Sequence, residues 1–419
     1  MAYEHDEIRK RQLQRRQDEK RQQELKRRRN KKRAVLALSI TTVVVLCALV
    51  TALVRHISKP KPDDAAPVVT APQDVGDPET VIRLAFGGDV NITDKVVANP
   101  NLTDLFMDVA PLFAGADSAA VNFEGNLCGG PYGTEGTRAP QALAQALSNA
   151  GVDLMQIANS CTINNGLLGL SQTVESIRQA GMEPLGAYAS DEEAQKYKGF
   201  TLRSICGVKV AFVAFTKGMD NLALPQGTEN RVNLLYTDYT STYQKIDKEG
   251  IQEVLRAVAL EKPDITVALL HWGSEYNNQV SESQEQIVSL MQKEGVDAIV
   301  GTHSHYVQKI DYDADKGTVV AYSLGDLLGD GDKDGTAYSI VLQLEITKIN
   351  QSGECKITGM EYAPVYIVTE ETESGSAQRL LRIEPAIAAY EANSIHKVPE
   401  EVYLAMKSAL SRIRSRVSG

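Results

Sequence analysis

Residues 264–305 read DITVALLHWGSEYNNQVSESQEQIVSLMQKEGVDAIVGTHSH, and their pattern indicates the fold class of the protein. This stretch contains two short apolar runs, ITVALL and AIV, which are typical of buried β-strands. Between them, SESQEQIVSLMQKEG has apolar residues at helical spacing and stops at Gly295, a residue favoured after the end of a helix. The stretch therefore predicts a strand, a helix and a second strand, with histidines close behind both strands.

The same alternation extends outward over most of the chain. Further apolar runs predict strands in VIRLAFGGD, SAAVNFEGN, VDLMQIAN, VKVAFVAFT and TVVAYSLGD, and helical spacing recurs in QALAQALSNAG, GLLGLSQTVESIRQAG and KEGIQEVLRAVALEK. After Asp326, the runs AYSIVLQLEITKI and CKITGMEYAPVYIV predict antiparallel strands that close a sheet. The pattern indicates an α/β protein with one domain at residues 80–369 and a helical C-terminal tail at residues 370–419.

The N-terminal part of the chain differs in composition from the rest. Residues 1–33 carry fourteen Lys or Arg against six Asp or Glu, whereas the whole chain has a net charge of −10. Residues 34–54 contain no charged residue, and at about 1.5 Å per residue a helix of this length crosses a bilayer core. Because basic residues stay inside, we expect a cytoplasmic tail, one retained transmembrane helix, a Pro-rich linker at residues 55–79 and an extracytoplasmic main domain.

Other interpretations of this region agree less well with the sequence. A cleaved secretory signal would have a shorter basic region and a small-residue cleavage site after the apolar run. A nucleic-acid-binding arm is also conceivable, but membrane topology already accounts for the basic block, and no nucleic acid is expected as a partner. The tail is instead expected to meet anionic lipid headgroups. The five cysteines lack CxxC spacing, which argues against a zinc ribbon or an iron–sulfur site.

Polar residues that can bind metal ions follow several predicted strands. In open α/β sheets, ligands collect beyond the carboxyl ends of the strands. Imidazole and carboxylate groups together suit zinc, manganese or iron, and a bridging carboxylate can hold two ions. Each residue alone could be an ordinary loop residue or a turn cap, so it is their number at one predicted edge that favours a metal site. The residues are Asp89, Glu124, Asn159, Ser160, His271, His303 and His305.

Two of these residues form the HSH pair. Alternate residues of an extended chain point the same way, so His303 and His305 are expected to reach one site from a strand.

Six motifs occur in order along the chain: GGDVN (87–91), VNFEGNL (121–127), ANSCTINNGLLGL (158–170), LLHWGSEY (269–276), GTHSHYVQ (301–308) and YSLGD (322–326). This series resembles the poly-γ-glutamate capsule-synthesis CapA-type family, a branch of the calcineurin-like metallophosphoesterases. The resemblance implies a four-layered α/β/β/α sandwich with a two-metal centre at its rim. It also implies that Asp89 and His305 hold one divalent ion, that His271 and His303 hold the other, and that Glu124 bridges them.

This chain differs from the usual sequence pattern of that family at two places. Asn91 takes the place of a histidine ligand found in the wider superfamily. Where the family usually has ANNH followed by Asp, this chain has Ser160 for the amide ligand, Cys161 for the histidine and Asn164 for the carboxylate. A serine hydroxyl is a poor metal ligand, and an ordinary thiol is a weak substitute for an imidazole. Asn159, Cys161 and Asn164 are the candidate catalytic residues, with Cys161 either a nucleophile or a small side chain that fills the vacated position.

Two classes of function follow from the resemblance. In the first, the protein is a metal-dependent hydrolase or transferase that acts outside the membrane on a phosphoester or a γ-glutamyl polymer. In the second, it keeps the fold but has lost efficient catalysis, and it binds or assembles components of capsule or envelope synthesis. In both, the expected partners are a capsule or envelope polymer and its synthesis machinery.

Overall fold

The computed structural model describes residues 79–372, 375–395 and 397–418. The predicted cytoplasmic tail, the predicted transmembrane helix and most of the linker lie outside the described residues. Within the described part of the chain, no helix is both long enough and apolar enough to cross a membrane.

The described residues form a mixed α/β structure in which every strand and helix named from the sequence is present. The strands are β1 (Glu79–Asn91), β2 (Ser118–Glu124), β3 (Asn126–Leu127), β4 (Arg138–Ala139), β5 (Leu154–Gln156), β6 (Glu183–Leu185), β7 (Phe200–Ile205), β8 (Val208–Thr216), β9 (Ile265–His271), β10 (Ala298–Thr302), β11 (Ile310–Asp313), β12 (Thr318–Ala321), β13 (Asp326–Leu328), β14 (Tyr338–Ile349), β15 (Cys355–Thr372) and β16 (Gly375–Arg382). The α-helices are α1 (Asp94–Val97), α2 (Ala110–Ala114), α3 (Gln141–Asn149), α4 (Gly166–Gln179), α5 (Asp191–Tyr197), α6 (Lys248–Glu261), α7 (Glu282–Lys293), α8 (Ile383–Glu391) and α9 (Glu400–Val417).

Two large sheets contain most of these strands. The first has the order β16-β15-β14-β1-β2-β5-β6, with β13 also paired to β1, and the second has the order β11-β12-β10-β9-β8-β7. Strands β1, β2, β5 and β6 run parallel in the first sheet, as do β8, β9, β10 and β12 in the second. The remaining strands of the two sheet orders pair antiparallel at the edges, including β14 and β15 as the sequence predicts.

The buried apolar residues explain how the sheets are covered. Alternate residues of β1 (Ile82, Leu84 and Phe86) share one core cluster with Val210 and Phe212 of β8, so this cluster contains residues of both sheets. Ala85 of β1 lies in a second cluster with residues of α3 and α4, and Ala211 of β8 lies in a third cluster with residues of α6 and α7. Strands that are covered on both faces are apolar throughout. The four-layered α/β/β/α arrangement stays a prediction.

Four aspartates stand directly before parallel strands. Each carboxylate accepts the backbone N–H of the residue just before the first register pair that joins the neighbouring strand to the strand after the aspartate. The pairs are Asp117 with Arg83 N (2.8 Å), Asp153 with Ala119 N (2.9 Å), Asp264 with Lys209 N (2.7 Å) and Asp297 with Thr266 N (2.8 Å).

Close backbone approach brings β1 beside the YSLGD loop. Asp89 N donates to Gly325 O at 3.0 Å, and a Cβ atom added at Gly88 would lie only 1.9 Å from that oxygen. Only glycine allows this approach. As a result, Asp89 is paired in register with Asp326 at the start of β13.

The predicted helical tail differs from the observed structure at its beginning. Residues 370–372 complete β15, and β16 pairs antiparallel with it before the two helices begin. The helices then pack on the domain, because Ile383 of α8 and Met406 and Ile413 of α9 are buried in the cluster that contains both sheets. The segment that forms β16 is short and polar at its start, so its apolar pattern was too weak to predict a strand.

Candidate metal centre

Two carboxylates meet at the ends of β1 and β2. The amide nitrogen of Asn122 donates to Asp89 Oδ1 at 2.6 Å and to Glu124 Oε1 at 2.6 Å. Asp89 is fully buried, and the amide oxygen of Asn122 accepts in turn from Asn159 Nδ2 at 3.0 Å. Asn122 was not predicted as a site residue, although it lies in the same strand two residues before Glu124. Its hydrogen bonds fix the positions of both carboxylates.

The three predicted histidines lie next to these carboxylates. His271, the last residue of β9, has its Nε2 atom 2.8 Å from Glu124 Oε1. The ring centroids of His271 and His303 are 4.3 Å apart, and those of His303 and His305 are 6.3 Å apart. The backbone N–H of His303 donates to Asp89 Oδ2 at 3.0 Å. The structure therefore brings together all five residues that the resemblance assigns to the two ions.

The route by which the HSH pair reaches the site differs from the prediction. Strand β10 ends at Thr302, and the chain then turns instead of continuing extended. His303 and His305 have φ angles of 89° and 59°, in the left-handed region. Such backbone conformations are uncommon outside glycine and occur where surrounding contacts hold them in place. The turn, rather than strand alternation, places both rings at the site.

Asp326 completes this group, although it was not predicted among the ligands. His305 Nδ1 lies 2.8 Å from Asp326 Oδ1. The donor atoms of Asp89, His305 and Asp326 all lie within 4.8 Å of one another. Asn91, predicted as a ligand, donates its amide nitrogen to Asp326 Oδ1 at 2.9 Å, so it positions this carboxylate. Asp326 could have been found, since it ends the YSLGD motif.

The charges in this group strongly influence one another. Burial, together with the nearby Glu124 and Asp326 carboxylates, raises the pKa of Asp89 to about 7. Burial is the largest single effect on Glu124 and would raise its pKa, but the charge and hydrogen bond of His271, the hydrogen bond from Asn122 and the charge of His305 together outweigh it, so the pKa is lowered. For His305, burial lowers the pKa, but Asp326 more than compensates and raises it to about 10. The pKa of Asp326 itself is raised, chiefly by burial.

His303 has a different environment from His305. Burial and the positive charges of His271, Lys217 and His305 hold the pKa of His303 well below its ordinary value. Lys217, the first residue after β8, places its Nζ atom 3.3 Å from His303 Nε2 and 2.9 Å from Gly273 O. Lys217 was missed from the sequence, although the strand-end argument applies to it as well. It adds a positive charge where only imidazoles were predicted.

The ANSC block lies at the edge of the centre. Asn159 is fully buried, and its amide donates to Asn122 and to Phe123 O while its oxygen accepts from Cys161 N. Asn159 therefore positions Asn122 and the turn that follows rather than facing a substrate. Asn164 is directed to Thr137, whose hydroxyl accepts from it at 3.0 Å. These contacts give both asparagines a supporting role.

Ser160 and Cys161 do line the cavity of the site, as predicted for the vacated positions. The Cys161 thiol is buried, and its pKa is raised well above its ordinary value by burial and by the nearby Glu124 charge. A thiol in this state is a poor nucleophile, because the thiolate is the reactive form.

The cavity has a volume of about 320 Å³ and opens beside the histidines. At its rim, the Tyr276 ring stacks on His305 with centroids 5.0 Å apart, and Lys333 Nζ lies 3.4 Å from the Tyr276 centroid. The lining residues are Asn91, Ile92, Thr93, Glu124, Thr137, Ser160, Cys161, Asp220, Glu275, Tyr276, His303, His305, Asp326, Gly329, Asp330, Gly331, Asp332, Lys333 and Thr336.

The donor set fits a divalent cation. Asp89, Asp326 and Glu124 are buried close together, and the pKa of Asp89 is raised to about 7 by burial and by the like charges around it. Buried carboxylates are stable when paired or when they coordinate a metal. Two carboxylates and an imidazole with converging donor atoms suit manganese, zinc or iron.

The sequence matches a known protein family. The family model described as bacterial capsule synthesis protein PGA_cap matches residues 83–331. The PGA biosynthesis protein CapA of Bacillus subtilis is 25% identical over 298 residues, which cover 68% of this chain and 72% of the relative. The capsule biosynthesis protein CapA of Bacillus anthracis is 25% identical over 280 residues, which cover 63% of this chain and 64% of the relative.

The solved structures that match this chain are more distant in sequence. A calcineurin-like phosphoesterase from Bacillus subtilis is 15% identical with a TM-score of 0.40, and the match covers 80% of this chain and all 100% of the other. A phosphatase from Mycoplasma pneumoniae is 14% identical with a TM-score of 0.43, and the match covers 68% of this chain and 93% of the other.

Proposed function

This chain belongs to the PGA_cap family of bacterial capsule synthesis proteins, and we propose that it acts in poly-γ-glutamate capsule or envelope polymer synthesis through a metal-dependent hydrolase or transferase site. The proposal includes an anchor in the cell membrane and an extracytoplasmic domain. The observation that carries the catalytic part is the convergence of Asp89, His305 and Asp326 beside a cavity large enough for part of a substrate.

Three side chains would hold the divalent ion: Asp89, Asp326 and His305. A bound ion would supply Lewis-acid stabilisation of an anionic oxygen and would lower the pKa of a bound water. The rest of the site provides positioning. Asn122 holds the Asp89 and Glu124 carboxylates, and Asn91 holds Asp326. Residues held by such secondary hydrogen bonds keep the geometry that catalysis needs.

The charge of the cavity supports a role for a cation. Asp220, Glu275, Asp330 and Asp332 line it in addition to the centre itself, and Lys333 is the one Lys or Arg among its lining residues. A phosphoester or a γ-glutamyl polymer is anionic and would be repelled by these carboxylates. A divalent ion at the centre would offset that repulsion where the substrate reacts.

The experiment that tests the proposal measures metal-dependent turnover. The full-length chain is purified in detergent, stripped with a chelator and reloaded with Mn²⁺ or Zn²⁺. It is then assayed with p-nitrophenyl phosphate, bis-p-nitrophenyl phosphate and a γ-glutamyl oligopeptide. We expect turnover of one of these substrates that requires the metal and that Asp89→Asn abolishes. Glu345→Gln is the matched control, since it removes a carboxylate that pairs with Arg83 and is not among the residues that line the cavity. Turnover that persists without metal would contradict the proposal.

A second candidate function is supported by the ANSC block. Residue 161 is a cysteine where the resemblance implies a histidine, and its buried thiol is neutral. The cavity wall therefore lacks the imidazole proton donor expected at this position. The chain would then bind or assemble capsule components without turnover. Absence of turnover with every substrate, together with retained binding of a γ-glutamyl oligopeptide, would favour this function.

A further inference from the structure

Lys217 occupies a position that bears directly on how many ions the centre can hold. The residue follows β8, and its backbone N–H donates to His271 O at 2.8 Å, which fixes it beside the end of β9. Its Nζ atom donates to Gly273 O at 2.9 Å and lies 4.5 Å from the centroid of the Tyr243 ring. Among the described residues, no carboxylate forms an ion pair with it.

The contact between Lys217 and His303 is difficult to reconcile with a metal ion on His303. A lysine ammonium has three hydrogens to donate and no lone pair, so at 3.3 Å it requires a lone pair on His303 Nε2. If Nε2 bound an ion, the ammonium would lie next to a divalent charge. If Nδ1 bound the ion, Nε2 would have to carry a hydrogen, and that hydrogen would point at the ammonium. Histidines that bind metals normally donate this second N–H to a carboxylate, a carbonyl or water.

The other groups expected around a second ion are also altered. Ser160 offers a hydroxyl where the resemblance implies an amide ligand, and His271 Nε2 faces Glu124 Oε1 directly at 2.8 Å. By contrast, the donor atoms of Asp89, His305 and Asp326 all lie within 4.8 Å of one another. The two halves of the centre are therefore unequal.

We propose that the centre takes one divalent ion, held by Asp89, His305 and Asp326, and that the Lys217 ammonium replaces the second ion beside His303. This inference rests on the metal-binding part of the proposed function. It predicts a site with two cationic groups of different kinds: an exchangeable metal ion and a fixed lysine.

The test counts ions and asks whether they are paired. The full-length chain in detergent is stripped with a chelator, loaded with Mn²⁺ alone and desalted. Bound manganese is measured by mass spectrometry, and its coupling is measured by electron paramagnetic resonance. We expect about one Mn²⁺ per chain with the six-line signal of an isolated ion. Lys217→Met, which keeps much of the apolar stem, should bind about two ions and show the multiline signal of a coupled pair, since such ions lie about 3.5–4 Å apart.

Control variants separate this inference from the proposed function. Lys217→Gln removes the same charge with a smaller loss of polarity, and it should also gain the second ion even if Lys217→Met folds poorly. Lys333→Met removes the lysine that lines the cavity, rather than the one beside His303, and should leave the count at about one. A coupled pair in the unmodified chain would overturn the inference and leave the proposed function standing, as would a count of one in both Lys217 variants. No bound ion in any variant would overturn both.

Discussion

Cys161 is the residue whose ionisation separates two interpretations of the site. It stands where the resemblance to the CapA-type family implies a histidine, and a nucleophilic cysteine would need a base or a positive field to become a thiolate. The Cys161 thiol is buried and lies near the Glu124 carboxylate. Burial first, and then the Glu124 charge, raise the pKa of the thiol well above its ordinary value. The thiol is therefore neutral near pH 7, which supports the view that it fills the vacated position.

This difference can be measured by thiol reactivity. In the native chain, Ellman's reagent should label Cys161 much more slowly than Cys206, which is exposed. Cys161→Ser should leave metal binding and any turnover within about a factor of three, whereas loss of a nucleophile would remove far more. Mass-spectrometric peptide mapping during the labelling reaction identifies which cysteine reacts. Rapid labelling of Cys161 would show that the thiolate is present and would contradict this account.

Asp326 is a candidate metal ligand that was not predicted from the sequence, and its removal should have two effects. Asp326→Asn should weaken divalent metal binding by at least 10–100-fold, measured by calorimetry. In the metal-free chain it should also lower the pKa of His305 from about 10 toward the ordinary value, since Asp326 contributes more than Asp89 or Tyr276 to raising it. A histidine NMR titration checks the second effect.

The control for Asp326 is another carboxylate of the same cavity. Asp330 also lines the cavity, but the carboxylate that is hydrogen-bonded to His305 is that of Asp326. Asp330→Asn therefore removes a negative charge from the cavity without removing that hydrogen bond. It should leave both the affinity and the His305 titration close to those of the unmodified chain. Equal losses in the two variants would mean that general charge, rather than ligation by Asp326, governs binding.

At the scale of the strands, the four aspartates that begin parallel strands share one physical role. Where two parallel strands begin to pair, one strand has a backbone N–H that faces no carbonyl of the other strand. The aspartate directly before that other strand accepts this N–H with its carboxylate. A buried backbone N–H without an acceptor would be costly. The repetition in both sheets shows that these aspartates are structural, and it distinguishes them from Asp89 and Asp326.

One of these aspartates should produce a pH dependence of stability. Burial raises the pKa of Asp297 from 3.8 to about 6, and the Thr266 N–H offsets this only in part. The pKa of Asp297 is higher in the folded protein than in the unfolded chain, so the protonated carboxyl adds to the free energy of unfolding. This contribution is complete below about pH 4 and is lost as the pH rises through about 6, where the buried carboxyl ionises. Asp297→Asn keeps an acceptor for Thr266 and cannot ionise, so it should remove this loss. At pH 7 the free energy of unfolding should rise by about 1–3 kcal/mol.

The check is urea unfolding between pH 4 and pH 7. Asp297→Ala serves as the control, since it removes both the charge and the acceptor. The lost hydrogen bond should cost about 1 kcal/mol at pH 4, where the charge is absent in both chains. If Asp297→Asn were destabilising at pH 7, the ionised carboxylate would have to stabilise the strand start instead.

At the scale of the whole molecule, the C-terminal helices belong to the domain. Met406 of α9 is fully buried in the cluster that contains both sheets, whereas Leu404 on the same helix is 56% exposed. Met406→Ala should lower the free energy of unfolding by about 2–5 kcal/mol, the usual cost of removing a buried side chain of this size. Leu404→Ala, the matched control, should change it by less than about 0.5 kcal/mol. Similar small changes in both variants would mean that α9 is dispensable for stability.

The membrane anchor is a further prediction for the whole chain, and it depends on residues 34–54, which lie outside the described residues. Apolar length and the basic block before it both favour a retained helix with the N-terminus inside. External protease added to intact cells should digest the domain that follows residue 60 and spare an N-terminal tag. Recovery of a soluble protein that begins near residue 60 from the medium would instead indicate cleavage.

Much of the architecture could be predicted because it depends on neighbouring residues. The apolar runs before His271 and His303, and the helical segment between them, carry their periodicity within a few residues, so strands and helices follow directly. Asp89 and Glu124 are also expected together, because β1 and β2 are parallel and end on the same side, and the same holds for His271 and His303 after β9 and β10. That these two pairs, which belong to different sheets, meet in one site was decided by the packing of the sheets. The six motifs, by their order and spacing along the chain, are specific enough to indicate the CapA-type family.

The contacts between segments that are distant in sequence could be seen only in the tertiary structure. Asp326 reaches Asp89 because β1 and the YSLGD loop approach at Gly88, and no local pattern encodes that approach. Asn122 joins two carboxylates, and Lys217 reaches His303 across 86 residues of sequence. The HSH pair reaches the site through a left-handed turn rather than a strand. Periodicity determines which face of an element is buried, but the partner of a polar atom depends on register and turn geometry, which only the folded chain establishes.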